Sequence, residues 1–411
     1  MRFLILTQYF PPEVGAPQVR LAAVAKELKR IGHDVEIVTA MPNHPTGSID
    51  PKYKGKFYIK ENWEGMPVHR LWLYAASGTG LKRLFSYISF SVTSLFGLLR
   101  AKKPDYIFVE SPPLFLGITA YLLSVIRRTP FIFNVADLWP DSVRELGILK
   151  KGIILRAAEQ LEIWIYNRAA FVNAVTDGIY NVLIKHKKVP NQKVLFFPNG
   201  VDTKLFRPRD PDTALANKLG IIQKQIIIYA GTLGIAQGLE VAIDAFRRIQ
   251  DSAPRIHMVF IGDGPEKNRL QSLVREWNLD NVTFLDPAPP EYVARLYSIS
   301  IAGFASLKNL PIFEGARPSK IFPIMASAKP VIYSGAGEGA RLIEEAKAGI
   351  VLPPEDSAAL ARAIVELSQK PELAEELGKN GRRYVEENLS WPRIVDSWLN
   401  QLQSEVDGAP R

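Results

Sequence analysis

The chain repeats one pattern in both halves, in which short runs rich in β-branched and aromatic residues alternate with longer amphipathic segments. This alternation is typical of parallel sheets that carry helices on both faces. The predicted strands of the first half are Arg2–Thr7, Asp34–Thr39, Val68–Leu73, Asp105–Glu110, Phe131–Asp137, Phe171–Thr176 and Lys193–Phe197. Those of the second half are Ile226–Ala230, His257–Gly262, Val282–Leu285, Ser300–Ala305, Pro330–Ser334 and Ile350–Leu352. The sequence therefore predicts an α/β protein with two doubly wound domains.

A connector rich in proline and turn residues separates the halves. It has the sequence "FPNGVDTKLFRPRDPDT", whose Asn-Gly pair and prolines interrupt regular structure. We predict an N-terminal domain over residues 1–203, a C-terminal domain over 204–388, and a final helix in 389–411 that can cross back to the first domain. Open α/β sheets bind ligands beyond the carboxyl ends of their strands. The strand-to-helix turns of two domains facing a central cleft are therefore the expected site.

Cysteine is absent, which excludes a disulfide framework, a zinc–thiolate site and a catalytic thiol, and fits a reducing compartment. Hydrophobic residues make up 47% of the chain and charged residues 23%, as in globular rather than disordered proteins. The amino-terminal segment "MRFLILTQYFPPEVG" is predicted to be a first strand rather than a secretion signal.

Positive charge is concentrated in the first half. Residues 1–200 carry a net charge of +11, and residues 201–411 carry −2. Either the first half faces an anionic partner, such as a membrane surface, a phosphorylated lipid or nucleic acid, or its charge is only unevenly solvated. Ser111–Ile126 is too short to span a bilayer and is predicted to be a buried helix. Leu81–Arg100 is apolar with basic ends, so it is either a packed helix or one lying in a membrane interface.

Three turns contain candidate anion-binding residues. In "TQYFPPEVGAPQVR" only Gly15 is present, which disfavours a dinucleotide-binding fingerprint; Gly15 either admits an anion or is a plain loop glycine. In "YAGTLGIAQGLE", Gly231 and Thr232 follow a strand and either approach a phosphate or form a flexible turn. The segment "FIGDGPEK" ends a strand with Gly262, Asp263 and Gly264, a turn sequence that could also contact a nucleotide.

The segment "EGARPSKIFPIMASAKPVI" is the richest of the candidates. Glu314, Arg317 and Lys320 fall within seven residues of a loop that leads into a predicted helix. Ser319, after Pro318, is the predicted N-cap. Free N–H groups and basic side chains there would suit a diphosphate; the alternative is a capped surface helix with solvated charges. A proline at position 323 is tolerated in the first turn, where the missing N–H costs little.

The segment "FNVADLWPDSV" ends a first-half strand with Asp137 and Trp139. The carboxylate can accept hydrogen bonds from sugar hydroxyls or take a proton. The indole can stack on a sugar, or it is simply buried in the core.

Together these segments resemble the retaining GT-B glycosyltransferases of family four. The matching segments are "YFPPEVGAP", "DLWPDS", "FPNGVDTKLF", "YAGTLGIAQGLE", "IGDGPEK" and "PSKIFPIMASAKPVI". They look like the branch that builds O-antigen and capsule, including L-fucosamine-type transferases. The resemblance implies a GT-B fold with two Rossmann-like domains. It also implies a nucleotide-sugar donor, expected to be UDP-linked, and a lipid-linked or saccharide acceptor.

The resemblance also implies roles for particular residues. Catalytic roles fall to Asp137, Glu314 and Lys320, and acceptor contacts to Asp137 and Trp139. Donor contacts fall to Gly15, Gly231, Thr232, Gln237, Gly262, Asp263, Gly264, Arg317, Pro318, Ser319 and Lys320. No metal or other cofactor is expected, because Lys320 and helix dipoles would neutralise the leaving diphosphate. The expected location is cytoplasmic and peripheral, with the basic half on the anionic inner face of the membrane and no nucleic acid as partner.

Three positions depart from the family pattern, and one of them is Glu314, which lies one position away from the expected spacing. Gln237 stands where many members have lysine, although glutamine is common in the branch resembled. Pro323 stands where the family usually has a ribose-binding glutamate, so either another group holds the ribose or the donor binds more weakly. The alternatives to a transferase are a GT-B-fold nucleotide-sugar epimerase and a non-catalytic nucleotide-sugar-binding protein.

Overall fold

The structure is a computed structural model of the chain. It describes residues 1–13, 15–44, 46–76, 80–141, 144 and 152–408. The chain divides into two compact units, one formed by Met1–Asn199 with Ile394–Arg411 and the other by Gly200–Arg393. The division along the chain thus falls at 199/200, a few residues before the expected 203/204, and the end of the chain belongs to the first unit.

The first unit has a sheet whose strands run in the order β3-β4-β2-β1-β5-β6-β7-β8 within the described residues. The strands are β1 Arg2–Leu6, β2 Asp34–Ala40, β3 Tyr58–Trp63, β4 Met66–Leu71, β5 Tyr106–Ser111, β6 Phe131–Val135, β7 Phe171–Ala174 and β8 Val194–Phe196. All neighbours pair in parallel except β3 and β4, which are antiparallel. The carboxyl ends of the parallel strands therefore meet at one edge.

The edge hairpin of β3 and β4 was not predicted. The sequence analysis placed one strand at Val68–Leu73, whereas the structure has β4 at Met66–Leu71 and a partner before it. Strand β3 reads "YIKENW" and is only partly buried, so it lacks the continuous apolar run of an interior strand. Glu64 and Gly65, both with positive φ, form the tight turn between the two strands.

Before the connector, five helices of the first unit have described bounds. They are α1 Ala16–Arg30, α2 Leu81–Arg100, α3 Leu116–Arg127, α4 Ile153–Arg168 and α5 Asp177–Lys185. Helix α2 has the predicted bounds and packs through one face, on which Phe90 and Gly97 are buried. Among the described helices, none combines the length and hydropathy needed to cross a membrane.

The second unit has a six-stranded sheet, all parallel, in the order β11-β10-β9-β12-β13-β14. Its strands are β9 Gln225–Ala230, β10 Ile256–Ile261, β11 Val282–Leu285, β12 Ser300–Ser306, β13 Val331–Ser334 and β14 Gly349–Leu352. Its helices are α6 Thr213–Lys218, α7 Glu240–Ile249, α8 Lys267–Glu276, α9 Pro290–Ser298, α10 Ile321–Ala326, α11 Gly337–Glu345, α12 Ser357–Gln369 and α13 Pro371–Asn388. Every strand predicted for this half is present.

Two hydrophobic cores cover the two faces of the second sheet. Along β9, Ile226 and Ile228 belong to one core, whereas Ile227 and Tyr229 belong to the other. Successive side chains of a strand point to opposite faces, so both faces of this sheet are buried under helices. The predicted doubly wound α/β architecture is confirmed.

A last helix, α14 Trp391–Gly408, returns the chain to the first unit. The ring of Trp398 is fully buried, with its centroid 4.9 Å from that of Phe197 and 5.8 Å from those of Phe3 and Phe108. Its Nε1–H donates to Oδ1 of Asn173 over 3.0 Å. The helix therefore contributes to the core of the first unit.

Replacing Trp398 with alanine tests this contribution. Truncation leaves a cavity among three aromatic rings, so we expect the free energy of unfolding to fall by about 3–5 kcal/mol. The control is Val406→Ala at an exposed position of the same helix, for which we expect a change below about 0.5 kcal/mol. Urea unfolding followed by near-ultraviolet circular dichroism measures both values. Equal, small losses in the two variants would contradict the packing described.

Candidate functional site

The turns at the carboxyl edge of the second sheet lie together because β10, β9 and β12 are neighbours in it. The turn after β9 is tied to β10 by a hydrogen bond from Gly231 N–H to the carbonyl of Ile261, 2.9 Å long. Leu233 N–H donates to the carbonyl of Asp263 over 2.8 Å, which joins the turns after β9 and β10. The carboxyl end of β12 joins them through Ser306, whose hydroxyl donates to the Gln237 carbonyl over 2.6 Å.

Glycine is required where these turns touch. A Cβ on Gly262 would lie 2.0 Å from the carbonyl oxygen of Gly231, and φ at Gly262 is +147°. A Cβ on Gly264 would lie 2.3 Å from the carbonyl oxygen of Leu233. Side chains at either position would push the two turns apart. The sequence analysis selected both glycines as part of a turn that could contact a nucleotide, and the structure gives them this additional packing role.

Lys320 lies across the turn after β9. A Cβ on Gly231 would lie 2.5 Å from Cε of Lys320, and the lysine Nζ lies 5.5 Å from the ring centroid of Tyr229. The lysine is half-buried, and loss of water around the ammonium lowers its pKa to about 8. Among the described residues, no carboxylate lies within ion-pairing distance of this ammonium. The result is a partly desolvated cation at the meeting point of the turns, with no ion-pair partner in the part of the chain that the structure describes.

The start of the following helix differs from the prediction. Ser319 was expected to be the N-cap, but α10 begins at Ile321, its cap residue is Lys320, and no side chain caps it. The Ile321 N–H already donates to the carbonyl of Pro318 over 3.1 Å. Helix α10 spans only six residues, so the lysine side chain rather than a long helix dipole provides the positive charge here. Pro323 lies in the first turn, as expected.

Arg317 and Glu314 are held by Glu338, in the first turn of α11. The Arg317 guanidinium forms an ion pair with Glu338, and both side chains are largely buried. The carbonyl of Glu314 accepts a hydrogen bond from Glu338 N–H over 2.7 Å, while its side chain is exposed. This arrangement offsets the charge of Arg317 within the fold. Lys320 is therefore the stronger candidate of the two basic residues for an anion.

The remaining donor candidates surround the same turns. Thr232, Asp263 and Ser319 are exposed, and Gln237 and Pro318 are half-buried. The structure therefore gathers all second-unit candidates at one edge of the sheet, although their ligand contacts stay predictions.

Tyr229 was missed by sequence reasoning because it lies inside an apolar run. Its ring lies beside the Lys320 ammonium, and its hydroxyl donates to the Thr232 carbonyl over 2.5 Å. Burial raises the pKa of this phenol. The one sequence clue to the contact between Tyr229 and Lys320 was the position of this aromatic residue, two places before the turn glycine Gly231.

The first-unit candidates lie at the carboxyl ends of their strands. Asp137 is exposed two residues beyond β6, which ends at Val135 rather than at Asp137 as predicted. Trp139 is half-buried, packs on the core, and has its ring centroid 6.3 Å from that of Phe115. Gly15 precedes α1 in extended backbone, φ 172°, which does not require glycine.

A buried polar cluster beneath this edge was also missed. Arg20 forms an ion pair with Glu110 and donates to Oδ1 of Asn199 over 2.7 Å. Asn134 donates to the second carboxylate oxygen of Glu110 over 2.9 Å. Burial lowers the pKa of the Arg20 guanidinium to about 10. The cluster joins α1, β5, β6 and Asn199 in the connector. These contacts are too distant in sequence to predict from spacing.

Comparison with protein families matches both units. Residues 15–200 match the model described as "Glycosyl transferase 4-like domain", and residues 212–384 match the one described as "Glycosyl transferases group 1". The chain is a glycosyltransferase. It is 27% identical to a protein of Escherichia coli K12 named as a colanic acid biosynthesis glycosyl transferase, WcaI, across 98% of this chain and 100% of the relative.

Solved structures confirm the predicted GT-B fold. Sucrose-phosphate synthase from Thermosynechococcus elongatus has a TM-score of 0.77 at 21% identity, with full coverage of both chains. Anabaena HepE, solved in complex with UDP-glucose, has a TM-score of 0.74 at 16% identity and covers 98% of this glycosyltransferase and 100% of the HepE chain. At these identities the likeness establishes the fold alone.

Gly262→Ala tests the close approach of the turns. The added methyl group must displace the Gly231 carbonyl and also adopt a strained φ, so we expect a loss of about 2–4 kcal/mol in stability. The matched control is Gly220→Ala, where φ is +68° and nothing lies within 4 Å of an added Cβ. It should lose only the backbone cost of about 1 kcal/mol. Equal losses in urea unfolding would show that the turns do not constrain residue 262.

Proposed function

We propose that this enzyme is a retaining glycosyltransferase that transfers a sugar from a UDP-linked donor to a lipid-linked or saccharide acceptor. The observation that carries the proposal is the ammonium of Lys320 at the carboxyl edge of the second sheet, for which no described residue provides an ion-pair partner. An uncompensated cation in a partly desolvated place is costly unless an anion joins it. A nucleoside diphosphate supplies such an anion, and strand-to-helix turns are the expected place for it.

The proposed reaction exchanges one bond at the anomeric carbon. The bond between that carbon and the diphosphate oxygen breaks, and a bond to an acceptor hydroxyl oxygen forms on the same face of the sugar. The acceptor proton passes to the leaving diphosphate. Lys320 would stabilise the negative charge that develops on the diphosphate as the bond breaks, so we propose that no metal is required. Glu314 would lie near the donor sugar, with Asp137 and Trp139 at the acceptor.

The biological setting is proposed from the relatives. The WcaI relative is named for colanic acid biosynthesis, which supports a role in envelope polysaccharide assembly, including O-antigen or capsule. The HepE complexes contain UDP-glucose, which supports a UDP-linked donor. We place the enzyme in the cytoplasm at the inner membrane face; the L-fucosamine branch stays a prediction. Because both matched domains are described as glycosyl transferase domains, transfer is favoured over epimerisation or binding without turnover.

A transfer assay tests this function. UDP-sugars are screened by thermal shift, and those that stabilise the enzyme are incubated, with EDTA, with polyprenyl-diphosphate-linked saccharides and free oligosaccharides. We expect a product whose new linkage keeps the anomeric configuration of the donor, read by proton NMR. Lys320→Ala should lower kcat/KM about 10- to 150-fold, the scale of a charge-assisted hydrogen bond.

Lys329→Ala is the matched control, because Lys329 is another half-buried lysine of the second unit whose pKa is lowered by desolvation. It lies beyond the end of α10 and away from the turns, so its activity should stay near that of the parent enzyme. An inverted product would exclude the retaining mechanism. Equal losses in the two lysine variants would remove the assignment of Lys320.

A further inference from the structure

Helix α2 exposes an apolar face. Leu81, Phe85, Ile88, Val92 and Leu99 recur at intervals of four, three, four and seven residues, and each is exposed, with Leu81 and Val92 at 70%. These intervals place all five side chains on one side of a helix. The opposite side packs inward. Helix α2 is therefore apolar on its outer surface as well as where it meets the core.

Neighbouring elements extend this surface. Helix α3 lies beside α2, where the Thr119 hydroxyl donates to the Ser91 carbonyl over 2.7 Å. The chain after β4 lies along α2, where the Thr93 hydroxyl donates to the Trp72 carbonyl over 2.6 Å. These two elements add the exposed side chains Leu122, Val125 and Ile126 from α3 and Trp72 and Tyr74 from the strand extension. We call these five, together with the five of α2, the α2–α3 apolar face.

The second unit lacks such a surface in its described residues. Its exposed large hydrophobic side chains are Ile222 and Ile235. Single exposed apolar residues are ordinary, whereas a contiguous apolar patch marks a surface that is covered by something else. The apolar face is therefore a specific property of the first unit.

The charges around the face select its partner. No acidic residue occurs in 65–104 or in 111–136, the two stretches that contain the face. The basic residues of these stretches that are exposed or half-buried are Lys82, Arg83, Arg100, Lys102, Lys103, Arg127 and Arg128. Two copies of this chain meeting through the face would bring like charges together, whereas an anionic lipid surface complements them.

We propose that the α2–α3 apolar face docks on an anionic bilayer. The apolar side chains enter the headgroup region while the basic side chains contact lipid phosphates, as in interfacial amphipathic helices. This proposal rests on the proposed function in one respect, since it names the surface by which the enzyme meets a lipid-linked acceptor. Binding to vesicles itself requires no turnover.

Sedimentation with vesicles of phosphatidylcholine and phosphatidylglycerol, at about two to one, tests the proposal. We expect the full chain to bind these vesicles at low salt and to bind pure phosphatidylcholine far more weakly. The double variant F85S/V92S should bind at least about tenfold more weakly. Its matched control, I222S/I235S, removes the exposed apolar residues of the second unit and should bind like the parent.

Charge is tested separately. The variant K102Q/K103Q should reduce vesicle binding about 25-fold, since each basic residue near an anionic surface contributes about fivefold. The control K218Q/K224Q changes two exposed lysines of the second unit and should bind like the parent. Quenching of Trp72 by brominated lipids, compared with W72F, reports insertion of the face.

Several outcomes would overturn the proposal. One is equal vesicle binding by F85S/V92S and I222S/I235S, and another is the absence of Trp72 quenching. A third outcome is that the parent is a dimer in sedimentation velocity, that F85S/V92S is a monomer, and that the parent does not bind vesicles. A second copy of the chain would then cover the face. UDP-sugar binding without vesicles should be unchanged in F85S/V92S and in K102Q/K103Q, whose substitutions lie outside the proposed donor site. If the parent binds vesicles but does not bind any UDP-sugar, the proposed function is refuted and the docking surface is not.

Discussion

The close approach of two turns at the carboxyl edge of the second sheet sets the geometry of the proposed donor site. Gly262 and Gly264 let the turn after β10 touch the turn after β9, and no residue with a Cβ fits at either point. Gly231 in turn leaves the space across which Lys320 extends. The lysine is thereby held beside Tyr229 with little water, which lowers its pKa to about 8. The packing of the backbone turns thus fixes the position of the Lys320 ammonium.

The first unit is stabilised by a buried polar cluster around Arg20 and by the core packing of Trp398. Arg20 connects Glu110 on the sheet to Asn199, the residue of the connector at which the Met1–Asn199 segment of this unit ends. Trp398 fills the core from the far end of the chain. Asp137 is exposed at the same carboxyl edge under which the cluster around Arg20 lies. The part of the first unit that carries the proposed acceptor residues is therefore stabilised by contacts between distant parts of the chain, made by Arg20 and Trp398.

Most of the fold follows from sequence pattern because interior parallel strands are apolar along their whole length. Strand β3 was missed because an antiparallel edge strand can be polar. The turn glycines and Lys320 were candidates from the sequence, and the structure brings them together at one edge of the second sheet. Ser319 as N-cap was wrong, since the helix starts two residues later. The pairing of Arg317 with Glu338 depends on tertiary packing, which local propensity does not encode. The segment Leu81–Arg100 was predicted to be apolar with basic ends, and the structure adds which of its side chains are exposed.

The central claim is that the Lys320 ammonium receives the donor diphosphate. Calorimetric titration of UDP at pH 8, in buffers of different ionisation enthalpy, measures protons taken up on binding. The diphosphate is already ionised at this pH, whereas free Lys320, with a pKa of about 8, is about half protonated. Binding should raise that pKa, giving an uptake of about half a proton that vanishes in Lys320→Met. UDP binding without proton uptake, or with the same uptake in the variant, would contradict the claim.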